Sequence, residues 1–200
     1  MTQKLNLTLK TTIFHKPQQL IIQPDFIQLN NGSADTKFVK DDIDGIRNGV
    51  KGIRGYKFYI GRVYCIDIRN KNNEVLNIRI KTLYRIGRKL LDEKYIQIIN
   101  ALFENYFHNI ILKYLKQFDE ENKFEIENVS FVKVGVVLDG KRNLLLWNDI
   151  GIRKYITYFT IFSKSNQHNY KIFEYRNDWN SSVIYNVIKS ILKKKCLFDE

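Results

Sequence analysis

Two cysteines, two prolines, three histidines and one methionine in 200 residues exclude several function classes at once. Cys65, inside an apolar run, and Cys196, near the C-terminus, cannot make a disulfide framework, and neither has the neighbouring ligands that zinc needs. A Cys65–Cys196 bridge is not expected. His15, His108 and His168 stand apart from one another and from both cysteines, so no metal set or histidine-centred acid–base pair is expected. No apolar stretch approaches the ~20 residues that span a bilayer. Met1–Lys10 alternates Leu5, Leu7 and Leu9 with polar residues and lacks the continuous apolar core of a secretory signal. These absences predict a cytoplasmic protein without cofactor or metal.

What is present is apolar, aromatic and basic. Apolar residues make up 44% and aromatics 14%, enough for a packed globular chain, and the wealth of Tyr, Phe and Ile favours strands. The net charge of +12 is concentrated: residues 1–118 hold 20 Lys/Arg against 10 Asp/Glu, whereas residues 119–200 hold 13 against 11. Within 47–89 stand 12 basic residues and only two acidic ones, Asp67 and Glu74.

The first half reads as strands at Leu20–Ile22, Phe26–Leu29, Lys37–Val39, Tyr56–Arg69 and Leu76–Ile80, the last with a period of two. Gly45, Gly49, Gly52 and Gly55 predict a flexible loop before Tyr56. From Leu91 the period changes to three and four through Tyr114, predicting a long helix with Asp92 as N-cap. Asp119–Lys123 is a charged break that places a boundary between residues 1–118 and 119–200. The second half predicts strands at Phe124–Ile126, Phe131–Leu138, Leu144–Trp147, Tyr155–Ser163 and Tyr170–Tyr175, a turn at Asp139-Gly140, and a helix from Trp179 capped by Asn177 or Asp178. An internal echo supports duplication: Asp42-Ile43-Asp44-Gly45-Ile46-Arg47 returns, one residue shorter, as Asp149-Ile150-Gly151-Ile152-Arg153.

Each half is thus a run of antiparallel strands followed by one amphipathic helix. In this order of elements the chain resembles the bacterial pleckstrin-homology-like (PH-like) proteins, here in tandem. Phe131–Leu138, Trp147-Asn148-Asp149-Ile150, Tyr158–Phe162, Tyr170–Tyr175 and Asp178-Trp179-Asn180 carry the likeness in the second half. Leu20–Leu29, Lys37–Ile43, Phe58–Ile68, Leu76–Ile80 and the helix after Leu91 carry it in the first. The resemblance implies an α+β fold of two units, each a bent antiparallel sheet or partly open barrel closed by a C-terminal helix, and a binding rather than catalytic role. Such domains carry their phosphoinositide-binding cations between the first two strands, and Gln23-Pro24-Asp25, the loop read there, has none.

The candidate anion-binding residues are Arg47, Lys51, Arg54, Lys57, Arg62, Arg79, Lys81, Arg85, Arg88 and Lys89. Arg79 and Lys81 must share a strand face opposite Ile78 and Ile80. A positive surface of this kind attracts the phosphates of lipids or nucleic acid. Gly49, Gly52 and Gly55 among these cations have the composition of a phosphate-cradling loop, but a Walker loop leads into a helix and this one leads into a strand. Three binding partners are therefore open: a protein, an anionic membrane or phosphate surface, and nucleic acid stacked on Tyr56, Tyr59, Tyr64 or Tyr84. Asp42 and Asp149 are expected to cap the turns that follow them. Trp147 and Trp179 are expected to be core. Glu121-Asn122-Lys123 lies in the predicted linker, not on the strand that a nuclease would need. No catalytic constellation is expected.

Overall fold

The computed structural model describes residues 4–9, 17–84, 86–138 and 143–197. The chain is mixed α+β and divides into two units, residues 1–108 and 109–200. In unit 1, β1 (Leu5–Leu9), β2 (Gln18–Ile22), β3 (Phe26–Asn30) and β4 (Asp35–Val39) form an antiparallel sheet in sequence order. A 3-10 turn, Lys40–Asp42, hands the chain to a second meander of β5 (Ile43–Arg54), β6 (Tyr59–Asn70) and β7 (Val75–Leu83). Helix α1 (Arg88–Leu102) follows, widens into a π-turn at Phe103–Phe107, and continues as α2 (His108–Glu121).

Unit 2 repeats this order. Strands β8 (Lys123–Ile126), β9 (Val129–Val132), β10 (Gly135–Leu138) and β11 (Asn143–Leu146) form the four-stranded sheet. After a 3-10 turn at Trp147–Asp149 come β12 (Ile150–Lys154), β13 (Tyr158–Ser163) and β14 (Tyr170–Glu174), then helix α3 (Ser181–Lys194). Among the described residues the strands of each unit form two separate sheets and do not close into a barrel.

Alternation builds the core. Leu20 and Ile22 of β2, Ile27 and Leu29 of β3, and Leu76, Ile78 and Ile80 of β7 are buried at every second position, as the pleat requires. The helix is fastened to both sheets of unit 1. Tyr106 donates its hydroxyl to the Gln23 carbonyl at 2.6 Å, Lys94 Nζ reaches the Thr8 carbonyl at 3.1 Å, and the Tyr95 ring lies 5.2 Å from that of Tyr64. In unit 2, Phe124 stacks on Phe131 at 4.4 Å with the edge of Phe118 against it, and Phe159 stacks on Phe173 at 4.9 Å under the edge of Tyr185.

The sequence echo falls at one structural position in both units. Asp42 and Asp149 each end a 3-10 turn, and each backbone carbonyl accepts the amide of the residue just beyond the second strand of the meander, Lys71 at 2.8 Å and Lys164 at 2.7 Å. Ile43 and Ile150 then open the strand with near-identical dihedrals (φ −71°, ψ 122° and φ −74°, ψ 126°). The missing residue is a β-bulge. Ile43 faces Asn70 and Gly45 faces Arg69, so the register shifts at Asp44, whereas Ile150, Gly151 and Ile152 face Ser163, Phe162 and Ile161 without interruption. The bulged Asp44 turns its carboxylate to Arg69 Nε at 3.0 Å.

Several boundaries differ from the sequence reading. The glycine-spaced segment is strand β5, not a loop. Its glycines lie at ordinary negative φ, since the positive-φ glycines among the described residues are Gly32 and Gly87, and Gly52 leaves room for the ring of Tyr59, which a Cβ would meet at 2.5 Å. Phe131–Leu138 is two strands joined by a turn at Lys133–Val134. Helix α1 begins three residues early, and Gly87 at φ +64° supplies the left-handed residue just before it, a conformation glycine adopts without steric cost. Asp92 is then inside the helix, where Tyr64 and two arginines engage it. The helix continues through Asp119–Glu121 and stops at Asn122 (φ 55°). Helix α3 starts at Ser181, and Asp178 caps the preceding turn, accepting the Glu174 amide at 2.7 Å. A strand precedes Leu20–Ile22, so Gln23-Pro24-Asp25 joins β2 to β3; the loop between the first two strands is largely outside the described residues, as are His15 and Asp139-Gly140.

Candidate functional site

The basic residues of 47–89 are distributed by strand parity over distinct places in the β5–β6–β7 sheet. Tyr64, Ile66 and Ile68 of β6 bury on one face with Ile78 and Ile80 of β7. The opposite face pairs Arg47 with Asp67 and Asn77, Gly49 with Cys65 and Arg79, and Lys51 with Val63 and Lys81. Arg47, Lys51, Arg79 and Lys81 therefore share the outer face.

Two of these four are occupied. Asp67 is buried, and Arg47 Nε donates to its Oδ2 at 2.9 Å while Arg79 Nη1 lies 2.5 Å from its Oδ1. The second contact is an ion pair without hydrogen-bond alignment, since Oδ1 has no well-directed donor. Arg79 also donates to the Ile66 and Ile78 carbonyls and to Asn77 Oδ1 at 3.0–3.2 Å. It is a structural clamp across the sheet. Lys51 and Lys81 are exposed and form no ion pair among the described residues.

Arg62 has the parity of the buried face and reaches toward α1. Its Nη1 is 3.8 Å from Asp92 Oδ1, Arg88 Nε is 3.6 Å from Oδ2, and Tyr64 donates its hydroxyl to the same carboxylate. Burial, with the carboxylate alongside, holds the Tyr64 phenol above its ordinary range. Lys89 is exposed in the first turn of α1. Arg54 ends β5 opposite Tyr59, and Lys57 lies in the hairpin turn with its ammonium 5.7 Å from the Tyr56 ring centroid. Arg85 lies outside the described residues. Of the four tyrosines read as stacking residues, Tyr56, Tyr59 and Tyr84 are exposed and Tyr64 is core.

The glycine-rich segment does not form a phosphate cradle, because a backbone nest needs left-handed residues, whereas Gly49 and Gly52 lie in β5 opposite Cys65 and Arg62 and no residue of 43–54 has a positive φ. Asp149 caps not the turn that follows it but the one beyond β13: Ser165 N donates to its Oδ1 at 2.8 Å and Ser163 Oγ to its Oδ2 at 2.5 Å. The Ser163 hydroxyl and then the Ser165 amide hold its carboxyl below the usual carboxylate range. Asp42 uses its carbonyl instead. Trp147 is core, its indole N–H shared between the Val132 and Lys133 carbonyls at 3.1 Å, and Trp179 is half-buried. His108 and His168 are exposed, both cysteines are free thiols, and among the described residues no group of His, Cys, Asp or Glu is placed to hold a metal ion. No helix of the described residues is long and apolar enough to cross a membrane.

Two open clefts lie among the described residues of unit 2. One, of about 300 Å³, lies on the outer face of its three-stranded sheet between Arg153, Phe162 and Tyr170. The other, of about 410 Å³, separates α2 from α3 and is bridged by Lys194 Nζ to Asp119 Oδ1 at 2.6 Å.

Asp67 and Phe58 stand in the sequence as a minority acid and a strand residue, with no functional role assigned to either. Asp67 is one of only two acids in a stretch of twelve cations, which marks it as an ion-pair hub; Phe58 interrupts the basic run with an apolar ring where a turn must be solvated. No family model, curated protein or solved structure matches this chain.

Proposed function

We propose that the protein is a non-catalytic binding scaffold of two PH-like units, and that unit 1 engages an anionic surface. The supporting observation is the pair Lys51 and Lys81, on either side of Val63 on an outer sheet face where Asp67 is already shared by two arginines and Asp44 is engaged by Arg69. Neither lysine has a structural duty, so both are free to exchange counterions for lipid or nucleic-acid phosphates. The repeated order of four strands, 3-10 turn, three strands and helix supports the PH-like reading. The exposed Tyr56, Tyr59 and Tyr84 favour nucleic acid as the second reading.

The test is binding to phosphatidylserine-containing vesicles and to single-stranded DNA across a salt series, comparing wild type with Lys51→Gln/Lys81→Gln. At ~1 kcal/mol for each cation near an anionic membrane, the double change weakens vesicle binding about thirtyfold without loss of folding. Equal binding by both proteins removes the outer face as the site. A strong preference for DNA selects the second reading.

A further inference from the structure

The β5–β6 hairpin ends in a closed four-residue turn, Gly55-Tyr56-Lys57-Phe58, held by the Gly55 amide on the Phe58 carbonyl at 2.7 Å. Tyr56 is 93% exposed, Phe58 66% and Tyr59 73%. Beside it the chain leaves β7: the Tyr84 amide donates to the Ile60 carbonyl at 2.7 Å, and the Ile86 amide to Leu83 at 3.0 Å. This second turn presents Ile86 at 75% exposure, with Tyr84 also exposed. Two neighbouring turns of one sheet end therefore hold large apolar side chains in water. Lone exposed apolar residues are ordinary, but such a cluster marks a contact surface.

The charge around it selects the contact. From Gly45 to Ile66 and from Val75 to Leu91 the sequence has no acidic residue; Arg54 and Lys57 flank the β5–β6 turn, and Asp92 of α1 is already engaged by Arg62 and Arg88. Nucleic acid fits the cations but gains little from Ile86, which cannot stack on a base as a ring does. An anionic bilayer uses every component. Phenylalanine and isoleucine enter the acyl boundary, tyrosines sit at headgroup depth, and Lys and Arg stems extend their charges back to the phosphates.

We propose that this end of unit 1, tipped by Tyr56, Phe58 and Ile86, inserts into the interfacial layer of an anionic lipid bilayer. The proposal rests on the anionic-surface reading above and specifies both the surface and the mode of contact. Electrostatic attraction brings the outer face to the membrane, and the apolar tip converts that attraction into a contact that high salt cannot fully reverse.

A Phe58→Trp variant tests depth directly. On vesicles containing phosphatidylserine and acyl-brominated lipid, its added emission is expected to shift blue and be quenched by the bromines, relative to wild type with Trp147 and Trp179 alone. Phe58→Ser/Ile86→Ser is expected to lower vesicle partitioning at least tenfold, while its circular dichroism and salt-dependent approach are retained. Binding without quenching, and unaffected by the serine pair, overturns insertion and leaves the anionic-surface reading standing. No binding of wild type to anionic vesicles at low salt overturns both. Quenching on neutral vesicles equal to that on anionic ones overturns the role given to charge.

Discussion

Replacing Asp67 by Asn separates what the outer sheet face needs for stability from what it offers a ligand. The carboxylate is buried, with its side chain 5% exposed, and receives two guanidinium groups that are each about a third exposed. The charge-assisted hydrogen bond from Arg47 contributes ~1.5–3 kcal/mol, and the Arg79 ion pair adds Coulomb attraction. Partial exposure of the arginines screens that value, and an asparagine oxygen still accepts one donor. The net loss expected is about 2 kcal/mol. With a urea dependence of ~2 kcal/mol per molar, the midpoint for unit 1 falls by about 1 M. The same change adds one positive charge to the face. At ~1 kcal/mol per charge near an anionic membrane, vesicle binding tightens about fivefold at low salt. Stability and affinity thus move in opposite directions. Urea denaturation with vesicle co-sedimentation measures both, and an unchanged midpoint refutes Asp67 as the hub of the sheet. Weaker binding by a folded variant refutes the attraction assigned to the face.

Two further predictions concern packing and pH. A Cβ at Gly135 would stand 2.0 Å from the Leu145 carbonyl oxygen, whereas one at Gly151 would meet the tip of the Phe162 ring at 2.4 Å; Gly135→Ala must displace backbone and costs roughly 3 kcal/mol, while Gly151→Ala moves a side chain and costs under about 1 kcal/mol, a difference readable in thermal denaturation of the two variants. Burial raises the Tyr106 phenol well above its ordinary value, so the stability it contributes is complete below ~pH 10, its unfolded value, and is lost as pH rises toward the folded one. Tyr106→Phe should cost about 1 kcal/mol at neutral pH, by leaving the Gln23 carbonyl without its donor, and should flatten the alkaline decline in urea midpoint. An equally steep decline assigns it elsewhere, Tyr175 first, whose phenol is pushed up to about 12.

Alternation and helical spacing made much of the fold legible before any coordinates. Leu76, Ile78 and Ile80 against Asn77, Arg79 and Lys81 fixed both faces of β7, because side chains of successive strand residues must point oppositely. The three- and four-residue spacing after Leu91 fixed the helix, though not its π-turn. The echo suggested duplication, but that it marks the joint between the two sheets of each unit emerged only in three dimensions. Strand β5 was hidden, since glycines at every third or fourth position read as a loop; its ladder to β6 and the Tyr59 ring lying over Gly52 are supplied by the partner strand. The candidate site divided in the same way. Charge density is a property of composition and was legible at once, but which cations remain available depends on cross-strand neighbours. Asp67 is 20 residues from Arg47 in sequence, and the register of β5, β6 and β7 alone brought Arg47 and Arg79 to it, turned Arg62 toward Asp92, and left Lys51 and Lys81 facing water.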